Sequence, residues 1–295
     1  MRVMLGYDGS RGADAAIDDL RRAGLPPAGR LLVVTVADIY KTGVPDSSDL
    51  RAFRKLVSER LFAKAVGSAK QKKAQLLIEA RTLAQQGSRR VATLLPNWTV
   101  KHCGSVGEPV AKLLSAADRW KPDLVVVGKN DRSFIGRFLL RSVSEPIGQR
   151  SAFSVRVARP RALLSTPPTM VIVGGSNSLI GVERVIRALS GRTWPSGAEV
   201  RIVSVDDGTS PERISSVYPY ATSIIEQAAV PLDGLGLTLS VCVRAGDTAS
   251  VILEEANILG ADAIYFASGR EHESDVRAAS TTLIMRSECP VEVVR

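Results

Sequence analysis

A chain of 295 residues, 45% apolar and 23% charged, has the length of two globular domains and an ordinary globular composition. No run approaches the roughly 18 apolar residues of a membrane span. The N-terminus lacks a leader's apolar core, and three cysteines make no disulfide framework, so a cytoplasmic protein without membrane contact is expected. The net charge of +9 is uneven: residues 1–160 carry 28 Lys and Arg against 14 Asp and Glu (+14), and residues 161–295 carry 11 against 16 (−5).

Taken in chain order, Val3-Met4-Leu5-Gly6-Tyr7 ends in Asp8-Gly9-Ser10, the pattern of a buried strand leaving into a turn and a helix. A second apolar run, Leu31-Leu32-Val33-Val34-Thr35-Val36-Ala37, ends at Asp38. Residues 49–84 then read as one long packing helix, with Leu50, Phe53, Leu56, Val57, Leu61, Phe62, Ala65, Val66 and Ala69 recurring at three and four, and with Lys64, Lys70, Lys72 and Lys73 on its outer face. A strand through Cys103 leads to Gly107-Glu108-Pro109. Pro122-Asp123-Leu124-Val125-Val126-Val127-Gly128 is a fourth strand, and Ser154-Val155-Arg156-Val157-Ala158 a fifth.

The series then repeats. Val171-Ile172-Val173-Gly174-Gly175-Ser176 matches the first strand and Val200-Arg201-Ile202-Val203-Ser204-Val205-Asp206 the second, both at an offset of 168. Cys242 with Gly246, and Ala263-Ile264-Tyr265-Phe266-Ala267, match at 139; Val291-Glu292-Val293 matches at 136. This alignment aligns Ser176 with Asp8 and removes 29 residues between the second and third strands of the second copy.

Strands alternating with helices make a parallel sheet with right-handed crossovers, and continuous Val/Ile/Leu runs suit strands covered on both faces. The expected fold is α/β: two tandem Rossmann-like units, residues 1–160 and 168–295, each a doubly wound five-stranded parallel sheet in the order 3-2-1-4-5. Ligands of such sheets bind beyond the carboxyl ends of the strands at the switch point, which places Asp8 and Gly128 on one crevice. The two fifth strands are expected to pair antiparallel within the chain, with Arg156 and Glu292 attracting each other. On that reading Arg156→Glu destabilises the protein and adding Glu292→Arg recovers part of the loss.

These residues resemble the universal stress protein family once per half. Asp8-Gly9-Ser10, Gly107-Glu108-Pro109, the fourth strand, and Arg141-Ser142-Val143-Ser144-Glu145 carry the resemblance in the first half. ATP-binding members have G-x2-G-x9-G-[ST] after the fourth strand, where glycines let the backbone approach phosphate. Here those positions are Gly128, Asp131, Arg141 and Ser142, so two of the three glycines are replaced. The resemblance implies that Asp8 and the backbone near Val36 contact adenine and that Ser142 and Val143 contact phosphate. Asp131 would oppose a phosphate, and Lys129, Arg132, Arg137 and Arg141 would offset it.

In the second half Ser176, Ala267 and a shorter loop to Ser280, with Glu271, Glu273 and Asp275, argue against such a site. The implied function is a stress-response or regulatory protein working by binding rather than catalysis, with ATP in the first half only. The alternatives are a degenerate scaffold acting through an unknown protein partner and, third, a slow ATPase. Nucleic acid is not an expected partner, since the basic stretch has no aromatic interleaving; an anionic partner is the alternative to a solvated face, and homodimerisation is left open. His102 and His272 lie in different halves and no metal is expected. Cys103, Cys242 and Cys289 read as structural, as do Trp98, Trp120 and Trp194.

Overall fold

The computed structural model describes residues 1–43, 45, 47–129, 153–160, 170–208, 223, 225–227, 229–267 and 273–295. In chain order its elements are β1 (Arg2–Gly6), α1 (Arg11–Asp19), β2 (Arg30–Asp38), α2 (Ile39–Thr42), α3 (Ser47–Arg54), α4 (Glu59–Leu94), β3 (Thr99–Gly107), α5 (Pro109–Trp120), β4 (Leu124–Gly128), β5 (Ser154–Ala158), β6 (Val171–Ser176), α6 (Leu179–Ser190), β7 (Glu199–Asp206), β8 (Thr238–Ala245), α7 (Thr248–Ile258), β9 (Ala263–Phe266), α8 (Glu273–Arg286) and β10 (Val291–Val293).

The ten strands among the described residues all join one sheet, in the order β3-β2-β1-β4-β5-β10-β9-β6-β7-β8. Read outward from its centre, the order is the same on either side: fifth, fourth, first, second and third strand of each half. Every neighbouring pair is parallel except the central one, β5 with β10, which is antiparallel with Arg156 opposite Glu292. The doubly wound order and the intramolecular join both follow the expectation from sequence.

One face of this sheet carries a single apolar core that crosses the join, from Met4, Val34 and Leu113 through Val155, Val157, Val291 and Val293 to Val203, Ile252 and Leu283. The opposite face carries two separate cores. Val3, Ile17, Val33, Val91 and Trp98 form one, and Ile172, Val185, Ile202, Trp194 and Tyr265 the other. The alternation of side chains along β5 and β10 sends the valines to the continuous core and Arg156 and Glu292 to the opposite face, between the two smaller cores.

There a charged cluster is fully enclosed. Arg156 donates from Nε and Nη2 to both oxygens of Asp19 at 2.6 and 2.9 Å and from Nη1 to the Tyr265 hydroxyl at 3.1 Å. Its Nη1 lies 3.5 Å from Glu292, whose carboxylate takes its short bond from Arg192 instead. Arg192 also donates to the Ala23 carbonyl, and the Thr193 amide donates to Gly24 at 3.1 Å. A Cβ on Gly24, which sits at φ +62°, would lie 2.6 Å from the Trp194 ring. Two carboxylates and two guanidiniums therefore balance one another at the centre of the molecule, tying α1 of the first half to the segment after α6.

Pair register fixes how the halves correspond, and it differs from the offset read from sequence. Gly6 stands opposite Val34 and Val127; Gly175 stands opposite Val203 and Phe266. The Arg2 amide donates to Asp123 at 2.7 Å as the Val171 amide donates to Asp262 at 2.9 Å. The first two strands are thus related by 169 residues rather than 168. A slip of one residue exchanges the two faces of a strand, so Asn177, and not Ser176, is the counterpart of Asp8. The helix-capping serines, Ser10 and Ser178, remain 168 apart, because the second half has one residue fewer between strand and helix.

The long helical stretch also differs. It is two helices, α3 and α4, interrupted at residues 55–58, and the 36-residue α4 is buried through Ala80, Ala84, Gly87, Ser88 and Val91. Leu56 and Leu61, read as packing residues, are 81% and 58% exposed. A 3.6-residue apolar period shows a face but not what covers it, and here the sheet is reached only by the helix's second half.

Candidate functional site

Asp8 and Gly128 come together as expected, at the carboxyl ends of β1 and β4, which are neighbours in the sheet. Asp8 is exposed. Its Oδ1 accepts from the Ser10 amide at 3.0 Å and the Ser10 hydroxyl at 2.5 Å, while Ser10 Oγ accepts from the Ala13 amide at 3.2 Å and so caps α1. Gly9 makes the turn between them at φ +74°. A helix N-terminus and an oriented carboxylate therefore share the lip of the crevice.

Gly128 has a structural reason of its own. A Cβ there would lie 1.9 Å from the Gly12 carbonyl oxygen and 2.6 Å from the Ala13 nitrogen. The first turn of α1 rests directly on the end of β4, which only glycine at position 128 permits. Val36 lies on β2 opposite Ser105 and is half-buried, packing against the continuous core. Asp131, Arg141, Ser142 and Val143 lie outside the described residues, as do Arg132 and Arg137, and in the second half Glu271 and His272.

Lys129 does not face the crevice as a spare cation. Its ammonium donates to the Met285 carbonyl at 3.1 Å, in the last turn of α8, and its amide donates to Ala158 at 2.9 Å. Arg159 donates to the neighbouring Ile284 carbonyl. Two first-half cations thus cap the C-terminus of a second-half helix, where the backbone dipole is negative.

Above α1 the Tyr7 hydroxyl donates to Asp14 at 3.1 Å, and Arg90 of α4 donates to Asp14 and, at 3.4 Å, to Tyr7. Burial raises the Tyr7 phenol, and the bond to Asp14 raises it further. This ties α4 to the crevice floor.

At the matching place in the second half, Asn177 Nδ2 donates to Asp207 at 3.0 Å and Thr248 Oγ1 donates to the same carboxylate oxygen at 3.1 Å. Asn177 and Thr248 are buried. Three side chains from the ends of β6, β7 and β8 are thereby laced together where the first half has Asp8, Asp38 and Pro109. Asp38 caps α2 through the Tyr40 amide at 3.0 Å, and Pro109 has no donor to offer. Ser280, matched by sequence to the phosphate-loop serine, is the eighth residue of α8 and is buried rather than at a helix start. The sequence reading missed Asn177 and Asp207 because of the one-residue slip.

The cysteines are half-covered rather than enclosed, with Cys103 and Cys242 on the two outermost strands; burial raises all three thiols. Trp98 and Trp194 are buried, their indoles donating to Pro26 at 3.1 Å and Leu189 at 2.9 Å. Among the described residues no group of three or more His, Cys, Asp or Glu is placed to hold a metal ion, and no helix is long and apolar enough to cross a membrane.

A mostly parallel sheet wound 3-2-1-4-5, with a capped helix and a glycine contact at its switch point, defines a nucleotide-fold α/β protein of the Rossmann-like type. The profile of the Universal stress protein family matches residues 1–159, and the chain belongs to that family.

The structure is similar to that of a universal stress protein from Archaeoglobus fulgidus DSM 4304, at a TM-score of 0.61 and 15% identity, covering 100% of this chain and 96% of that one. It is also similar, at a TM-score of 0.32 and 16% identity over 55% of this chain and 93% of the other, to an Arabidopsis thaliana family protein with AMP bound. A third match is the Archaeoglobus fulgidus universal stress protein in complex with dAMP (TM-score 0.28, 19% identity, 43% of this chain and 98% of that chain). No curated protein sequence matches the chain.

Proposed function

We propose that this is a cytoplasmic stress-response protein that binds one adenine nucleotide in its first half and acts through that binding rather than through catalysis. The observation that carries the reading is the difference between the two crevices. In the first half an exposed Asp8 stands at the end of β1, beside the capped N-terminus of α1, a place suited to a ligand with amine or hydroxyl donors and an anionic group. In the second half Asn177 Nδ2 and Thr248 Oγ1 both donate to Asp207 across the same place, while Asn177 Oδ1 is buried without a hydrogen-bond partner among the described residues. Residues 1–160 and 168–295 are, on this reading, a sensing unit and a partner unit. Asp8, the backbone near Val36, and Ser142 with Val143 would hold the nucleotide, and Asp131 would weaken its phosphate end.

The test is calorimetry with AMP and with ATP on the full chain. A stoichiometry near one, weakened by Asp8→Ala, is expected; two equal sites, or binding indifferent to Asp8→Ala, would overturn the reading. If neither nucleotide binds, the second reading takes over, a scaffold acting through protein contacts. It is favoured by one observation, that Lys129 is bonded to the Met285 carbonyl of α8.

A further inference from the structure

The first residue beyond the Gly128 contact reaches into the other half of the protein. Lys129 lies at the carboxyl end of β4, on the crevice, and its ammonium donates to Met285 at 3.1 Å. Beside it Arg159, one residue past β5, holds Ile284. A helix C-terminus leaves its last carbonyls without intrahelical partners, and here two cations from the first half supply them. The counterpart of Lys129 in the second half, at the offset of 139, is Ser268, which carries no charge.

The helix so held leads to the second crevice. α8 packs on α7, and Thr248, the first residue of α7, donates to Asp207, which accepts from Asn177. A continuous set of contacts therefore runs from the first half's crevice through Lys129, α8 and α7 to the second half's laced triad. A carbonyl is a weaker partner for an ammonium than a full negative charge at the same distance.

We propose that Lys129 is the moving part of an anion-responsive relay: an anionic ligand at the end of β4 draws its ammonium away from Met285, loosens the last turn of α8, and so reports occupancy of the first half to the second. The relay rests on the nucleotide reading given above for its ligand. Arg159, set back behind β5 and partly buried, stays on α8 and keeps the helix docked in both states.

Hydrogen exchange of the α8 amides near residues 283–287 in the full chain tests this, with binding heats measured on the same samples. AMP should speed exchange there about tenfold in the wild type, the equivalent of one lost charged hydrogen bond. Lys129→Met should produce the same increase without ligand, and AMP should then add nothing. Arg159→Met should speed exchange yet leave the AMP response intact. A Lys129→Met protein with unchanged α8 exchange, or AMP that binds with measurable heat and leaves α8 unaltered, overturns the relay while sparing the nucleotide reading. The absence of any AMP heat overturns the nucleotide reading and, with it, the ligand half of the relay.

Discussion

Arg156 and Glu292 face each other across the antiparallel pair of β5 and β10, yet each is held most closely by a third residue: Arg156 by Asp19 at 2.6 Å, Glu292 by Arg192. Reversing both charges therefore does not restore the cluster. Arg156→Met, which strands Asp19 and Glu292 without their shared cation, should cost about 3–5 kcal/mol, read as a lower urea midpoint. Arg156→Glu should cost at least as much. The double variant Arg156→Glu with Glu292→Arg should be no better than Arg156→Glu alone, since it sets Glu against Asp19 and Arg against Arg192. Recovery in the double variant would show that the cross-strand pair dominates, contrary to the geometry.

Gly128→Ala should destabilise the protein whether or not nucleotide is present. The new methyl meets the backbone of Gly12, which cannot move without displacing α1. Overpacking of this kind costs about 1–3 kcal/mol or more, and a thermal melt without ligand measures it. An unchanged melting temperature would mean that α1 shifts freely, and the glycine would then owe its place to the ligand alone.

Asn177→Asp gives the second half the residue that the first half has at the corresponding site, and it should be harmful. The new carboxylate would face Asp207 in a buried position, and like charges at that range disfavour ionisation of both. The folded pKa of the pair rises above its unfolded value, so the variant should lose roughly 1–3 kcal/mol at neutral pH and regain most of it as the pH falls and a proton is shared. Denaturation curves of wild type and variant at neutral and mildly acidic pH would converge on the acidic side. A gap that stays constant with pH would refute the charge argument.

Tyr265 sets an alkaline limit. Burial pushes its phenol from 10.0 up to about 12, with Arg192 and Arg156 pulling against the rise and Glu292 and Asp19 adding to it. A raised folded pKa means stability that is complete below the unfolded value near 10 and is lost as the pH climbs toward about 12. The loss amounts to roughly 3 kcal/mol. Tyr265→Phe should flatten this alkaline decline in denaturant midpoints, although it removes a bond to Arg156. The decline should be steeper in the wild type; equal slopes would show that other groups control it.

The sequence displays the order of the strands because each is a short, unbroken apolar run and each recurs in the same sequence of turns. It also displays the central join, since Arg156 and Glu292 are conspicuous charges in otherwise apolar strands. Their true partners are less visible. Asp19 ends an ordinary amphipathic helix and Arg192 follows another, and nothing local marks either as buried. Gly174-Gly175 can be aligned with Gly6-Tyr7 at either of two offsets, and composition alone favours the wrong one; only pairing with Val127 and Phe266 decides it. Leu61 lies on the first half of α4, where no sheet extends beneath the helix, and Leu56 falls in the break between α3 and α4, which the apolar period does not reveal. The juxtaposition of Asp8 and Gly128 at the ends of neighbouring strands was legible, whereas the reach of Lys129 across 156 residues to Met285 was not.

The antiparallel seam between β5 and β10 lies within a single polypeptide. Its two sides meet at an effective concentration set by the connecting segment, and so dilution does not weaken the join as it would weaken two separate subunits. The complementary charges there also differ between the sides, an arrangement that two identical subunits related by a twofold axis cannot adopt. The molecule is in this sense an asymmetric dimer of fixed composition. Its halves are supplied in strict equality, and they assemble at any expression level.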